Sequence, residues 1–164
     1  MSSIVKVDWD SKLPIYEISH LKLHKEGIKS LLIDVDGTFL SRQSSVIPTN
    51  VKKWIKESKK LFSLYLISNN PSKKRIRRIA MELDIRYKSN AQKPRKKITL
   101  DVIAEMNEDS KNIAIIGDRI FTDVMVGNRC NIQTILVKRL NRKGLPIKLN
   151  LTLILEKLIS IFLK

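Results

Sequence analysis

The sequence predicts an α/β fold with buried parallel strands, and three observations carry that prediction. Apolar runs at 31–33, 61–67 and 112–116 are short enough for strands, and each stops at polar, turn-forming residues. Between them, apolar residues recur at i, i+3 and i+4, the pattern of helices that bury one face. Each run also delivers its polar residues at its C-terminal end, where buried parallel strands open onto a crevice.

Residues 1–27 lead into the first strand, with a short apolar patch at Leu13, Pro14, Ile15 and Tyr16 and a helical turn over 18–23. His20 and His24 are four apart, a possible metal pair on a helix, but no cysteine, glutamate or third histidine completes a site, so they read as surface or half-buried histidines. Gly27 breaks the segment. The first apolar run ends in Asp34-Val35-Asp36-Gly37-Thr38. On a strand, Asp34 and Asp36 point the same way. Their repulsion costs stability that a hard, oxygen-liganded cation such as Mg²⁺ would remove.

Pro48, with Thr49 or Asn50 as cap, opens a helix whose stripe is Val51, Trp54 and Ile55. Its lysines fall mostly off that stripe, on a solvated face. The second run ends in Ser68-Asn69-Asn70-Pro71, a hydroxyl and two amides leading into a helix with Pro71 near its first turn, which suits an anion. The helix spans about 72–83 with Ile76, Ile79, Ala80 and Leu83 inward; Lys73, Lys74, Arg75, Arg77 and Arg78 make the remainder basic. A short strand over 84–89 follows. Pro94 sits at the start of a helix continuing through Met106, and Lys93 just before it can reach the strand-end crevice and pair with phosphate. The third run ends in Gly117-Asp118, with Asp123 five residues on, again bringing carboxylates to a strand tip. A short helix over 124–127, closed by Gly127-Asn128-Arg129, and a last strand over 133–137 complete the core.

The 164 residues, 43% of them hydrophobic, suit a single globular domain over 1–164, with a core at about 28–148 and an apolar helix at about 149–164. In that helix Glu156, Lys157, Ser160 and Lys164 cluster on one narrow side and leucines and isoleucines, with Phe162, cover the rest. It is too short to span a bilayer and suits packing on the sheet, an oligomer contact or a membrane interface. Lys and Arg number 32 against 16 acids, a net charge of +16 that favours polyanions: nucleic acid, an anionic membrane surface or phosphorylated substrates. Cys130 is the single cysteine, which excludes an intrachain disulfide and suits a reducing compartment. No long apolar stretch follows a basic start, so no secretory signal is expected.

Asp34-Val35-Asp36-Gly37-Thr38, Ser68, Lys93 before Pro94, and Gly117-Asp118-Arg119-Ile120-Phe121-Thr122-Asp123 resemble, in that order, the four motifs of the haloacid dehalogenase (HAD) superfamily of phosphatases. The resemblance covers roughly residues 31–130. It implies a Rossmann-like, doubly wound, mainly parallel sheet flanked by helices. It further implies Asp34 as nucleophile and Asp36 as general acid and base. Mg²⁺ is then held by Asp34, the Asp36 backbone carbonyl and Asp118, with Asp123 supporting or substituting. Thr38, Ser68, Asn69 and Lys93 bind phosphate. The 29 residues between Thr38 and Ser68, and the 24 between Ser68 and Lys93, leave no room for a cap domain. An uncapped crevice suits a phosphate carried on something large.

Within the superfamily, the stretches around Asp34, Ser68 and 117–129 are most similar to uncapped class IIIA proteins of the YqeG type, which include phosphatidylglycerophosphate phosphatases. Gly37 departs from the Asn usual in that branch. This finer resemblance implies a role in phospholipid synthesis, removal of the terminal phosphate from phosphatidylglycerophosphate, and a cytoplasmic or organelle-stromal place with access to a membrane surface. A polynucleotide-end phosphatase is the alternative, against which the 5% aromatic content weighs. A non-catalytic nucleic-acid- or membrane-binding module on the same scaffold is another, against which the intact acids and lysine weigh.

Overall fold

A computed structural model describes residues 4–44 and 46–161. Six parallel strands form one sheet in the order β1-β6-β5-β2-β3-β4: β1 (Trp9–Asp10), β2 (Ser30–Ile33), β3 (Ser63–Ile67), β4 (Arg86–Lys88), β5 (Ile113–Gly117) and β6 (Gln133–Leu136). From central β2 the chain runs outward through β3 and β4, then returns to β5 on the other side. The loops after β2 and β5 therefore diverge at adjacent strand tips, which is where open α/β sheets form a crevice. β1 was not foreseen, because two residues are too few to carry an alternation; it pairs with β6 through Trp9 and Ile135.

Strand residues alternate between two apolar layers. Leu31, Ile33, Leu64, Leu66, Ala114 and Ile116 face one side, with α1 (His20–Lys25), α2 (Thr49–Ser58) and α3 (Lys73–Leu83). Leu32, Tyr65, Ile67, Ile113 and Ile115 face the other, with α4 (Lys97–Met106) and α5 (Met125–Arg129). The two-layered burial explains why these strands read as unbroken apolar runs.

Several helix boundaries differ from the sequence expectation. Helix α2 begins at Thr49, so neither Thr49 nor Asn50 caps it; Pro48 holds the cap position without a side-chain bond. Ser72 caps α3 by accepting from the Arg75 N–H, which leaves Pro71 outside the helix. Pro94 does not open α4: Lys93 and Pro94 lie in a turn closed by the Arg95 N–H on the Gln92 carbonyl and the helix starts at Lys97, so Lys93 is presented by a loop. The expected helix at 124–127 is a π-helical turn (Ile120–Val124) continuing into α5. Gly127 does not close that helix but lies inside it. A Cβ there would come within 2.5 Å of Thr134 and 2.7 Å of Ile115, so the glycine permits close contact between α5 and the sheet.

His20 stacks on Trp54 and meets the Ser58 hydroxyl at 2.8 Å, while His24 is exposed, so the pair forms no metal site. The last helix, α6 (Leu151–Ile161), does not pack its apolar side on the sheet. Phe162, Leu163 and Lys164 lie outside the described residues. No helix among the described residues is long and apolar enough to cross a membrane.

Candidate active site

The loops after β2, β3 and β5, with the segment before α4, converge on one crevice. Lys93 is almost fully buried in it. Its Nζ donates to Asp34 Oδ1 at 2.7 Å, to Asp123 Oδ1 at 2.5 Å and to the Ile67 carbonyl at 3.1 Å. Asp34 Oδ2 accepts from the Thr38 hydroxyl at 3.3 Å. Asp123 Oδ2 accepts from the Arg119 N–H and the Thr122 hydroxyl.

Asp118 is 1% exposed, and neither of its carboxylate oxygens accepts a hydrogen bond. Arg139 Nε approaches one of them to 3.4 Å without hydrogen-bond geometry. Asp34, Asp118 and Asp123 each offer an oxygen, and these atoms lie within 4.8 Å of one another. Three buried carboxylates thus face one buried ammonium. Burial pushes Asp34 up to about 7, although Lys93 opposes the shift. Burial, then the charges of Asp34 and Asp123, push Asp118 well above the carboxylate range. Lys93 is raised because its two acidic partners outweigh its own desolvation. An orphaned buried carboxylate beside two others is a donor set for a hard divalent cation.

Gly37 fixes the close approach of the β2 and β5 tips. Its φ is +101° and a Cβ would lie 2.6 Å from Asp118 Oδ2, so on this backbone a side chain at 37 would displace the carboxylate.

A HAD-hydrolase-like family model matches residues 90–143, which hold Lys93, Asp118 and Asp123. The chain is 28% identical to the probable phosphatase YqeG of Bacillus subtilis over 123 residues, 75% of this chain and 72% of that protein. The chain is thus similar to HAD-like phosphatases. Two solved structures share its fold. An uncharacterized protein from Listeria monocytogenes serotype 4b matches with a TM-score of 0.58 and 17% identity, over 77% of this chain and 86% of its own. The 3-deoxy-D-manno-octulosonate 8-phosphate phosphatase of Moraxella catarrhalis, solved with magnesium, phosphate and KDO, matches with a TM-score of 0.52 and 16% identity, over 74% of this chain and 84% of its own.

In this chain the expected residues are arranged unequally. Asp34, Thr38, Lys93, Asp118 and Asp123 form the buried cluster. Ser68 is buried at the tip of β3, where its hydroxyl accepts from the Asn70 N–H at 3.1 Å. Asn69 directs its amide at the backbone of Lys93, donating to the carbonyl at 2.8 Å and accepting from the N–H at 2.7 Å. That pair braces the turn that presents the lysine. Asp36 lines the same crevice outside the carboxylate cluster and is gripped by Asn70 Nδ2 at 2.7 Å and Arg75 Nη1 at 2.6 Å.

The sequence marks Arg75 only as one of the cations that make the remainder of its helix basic. The structure turns it onto Asp36, which lines the crevice, and it also donates to the Ser41 and Ser44 carbonyls. Its place three residues after the cap Ser72, in the first turn of the helix that follows the anion site, was the available signal. Arg42, Arg119 and Arg139 also line the crevice. Nothing in their spacing distinguishes them among 32 basic residues.

Proposed function

We propose that this protein hydrolyses a phosphomonoester carried on an anionic lipid headgroup, with phosphatidylglycerophosphate as substrate and phosphatidylglycerol as product. The orphaned Asp118 carboxylate beside Asp34 and Lys93 is the observation that carries the catalytic part: the cluster is short of positive charge, and a divalent cation with a phosphate-bearing substrate suits it.

Asp34 attacks phosphorus, the bond to the leaving alkoxide breaks, and an aspartyl-phosphate forms. Asp36 gives its proton to the alkoxide. It then takes a proton from the water that cleaves the aspartyl-phosphate, releasing inorganic phosphate and restoring Asp34. Thr38, Ser68 and Lys93 hold the transferring oxygens, and Asn69 keeps Lys93 in place. Arg75 and Asn70 orient Asp36. Mg²⁺, held by Asp34, the Asp36 carbonyl and Asp118 with Asp123 beside them, would screen the attacking carboxylate from the phosphate dianion. Residues 28–148 are the catalytic core and α6 is an addition to it.

The lipid part rests on the likeness to the YqeG-type phosphatase, on the uncapped crevice and on the basic chain. A second reading, a polynucleotide-end phosphatase, is favoured by the groove along α3 that Lys73, Lys74 and Arg77 line. Mg²⁺-dependent phosphate release from phosphatidylglycerophosphate in mixed micelles, run beside a phosphorylated oligonucleotide, separates the two. Release from the lipid that Asp34→Asn abolishes is expected. Release from the oligonucleotide alone overturns the lipid reading.

A further inference from the structure

Helix α6 is seated the wrong way round for a helix on a globular protein. Its inward stripe is Leu153, Glu156, Lys157 and Ser160, the i, i+3, i+4, i+7 positions that ordinarily carry apolar residues. Its outward surface is Leu151, Ile154, Leu155, Leu158, Ile159 and Ile161, which are 42–70% exposed. Specific bonds fix this orientation. Glu156 is 4% exposed; its Oε2 accepts the Ile120 N–H at 2.7 Å and its Oε1 accepts from Arg119 Nε at 3.1 Å. Lys157 Nζ meets Asp10 at 2.7 Å. Rotating the helix to bury its leucines would leave a carboxylate and an arginine without each other.

We propose that the outward face of α6, with the basic loop 138–148 before it, docks on an anionic lipid bilayer beside the crevice. The proposal deepens the lipid-phosphate reading and rests on it for the surface on which the substrate is met. The charge pattern selects the occupant. Residues 138–148 carry Lys138, Arg139, Arg142, Lys143 and Lys148 and no acid. Among the described residues only Arg139 of these makes a salt bridge, to Asp118. An apolar helix face bordered by unpaired cations is the pattern of a helix lying in an anionic membrane interface. A second copy of this chain would instead bring two sets of like charges together. The helix is also tied to the site, since Arg119 both bonds Glu156 and lines the crevice, while Arg139 belongs to the basic loop and lines it too.

Co-sedimentation of the full chain with vesicles tests the proposal. Vesicles of equal phosphatidylglycerol and phosphatidylcholine should bind it, pure phosphatidylcholine vesicles should not, and binding should weaken as salt rises. Leu155→Gln with Leu158→Gln should weaken binding by ~10-fold or more. Arg142→Gln with Lys143→Gln should weaken it and flatten its salt dependence. Circular dichroism and the melting temperature should be unchanged in both variants, because none of these side chains is buried. Wild-type binding to anionic vesicles that the leucine double variant leaves intact overturns the proposal. So does a dimer in solution that the same variant converts to monomer while vesicle binding is absent. Phosphate release from phosphatidylglycerophosphate in detergent separates the two ideas. Vesicle binding without release supports docking and sinks the lipid substrate, whereas release without vesicle binding sinks docking alone.

Discussion

The crevice and helix α6 invert the same rule in opposite directions. At the strand tips the protein buries charge: Asp34, Asp118, Asp123 and Lys93 sit where apolar side chains would be more stable. In α6 it exposes apolar side chains and buries a glutamate. Both arrangements cost stability, and both are held by rigid neighbours rather than by their own favourable energy. They differ in how they are held. The crevice is fixed by the sheet, whose adjacent strands leave their tips little freedom. Helix α6 is fixed largely through Glu156 and Lys157, so its placement hangs on a few polar contacts. The buried cluster is short of positive charge, and the helix is short of an apolar partner.

That contrast predicts unequal responses to mutation. Lys93→Met should have the largest effect on stability, because it strands Asp34 and Asp123 in the interior; breaking a buried pair costs about 3–5 kcal/mol, a fall in melting temperature of roughly 6–20 °C. A melt close to wild type would mean the cluster is more hydrated than its burial implies. Asp118→Asn should act the other way. It removes a buried charge that has no hydrogen bond, so the metal-free protein should melt a few degrees higher, and the rise on adding Mg²⁺ should shrink. An unchanged or lower melt would show that Asp118 is already stabilised.

The pH dependence follows from the same groups. Asp34, pushed up to about 7, and Asp118, pushed well above the carboxylate range, hold protons in the folded state that the unfolded chain has released. Their contribution to metal-free stability therefore falls as pH rises from about 4 through about 7, since the folded state binds more protons in that window. Metal must displace those protons, so the Mg²⁺-induced shift in melting temperature should be larger at pH 8 than at pH 5.5. Equal shifts at both would contradict the raised acids. Glu156→Gln gives the smallest effect. It weakens the bonds to Arg119 by about 1 kcal/mol, and hydrogen exchange should speed up in α6 while the sheet stays protected. Uniform loosening of the whole chain would mean α6 is integral to the core.

The same contrast explains what the sequence made legible. Strands β2, β3 and β5 were readable because burial on both faces demands unbroken apolar runs, and a strand tip must carry whatever follows the run. Asp34, Ser68 and Asp118 could therefore be placed before any coordinates, whereas Lys93 was marked only by its place before Pro94 and is presented by a loop. β1 was not readable, since two residues carry no period. Arg75 was hidden because a long cation at a helix start is one basic residue among several until the acid and loop it returns to are known. For α6 the spacing separated a polar side from an apolar one but could not say which side faces inward. Glu156 decides that through a bond to the Ile120 N–H, a partner 36 residues away.

The central claim is that Asp34 carries the phosphoryl group. Rapid acid quench of the enzyme turning over a phosphomonoester with Mg²⁺, followed by peptide mass analysis, tests it directly. The account predicts a phosphoryl adduct on the peptide containing Asp34, absent without Mg²⁺ and absent in Asp34→Asn, whose turnover falls by ~10³-fold or more. Turnover that survives in Asp34→Asn, or an adduct on another residue, would contradict it.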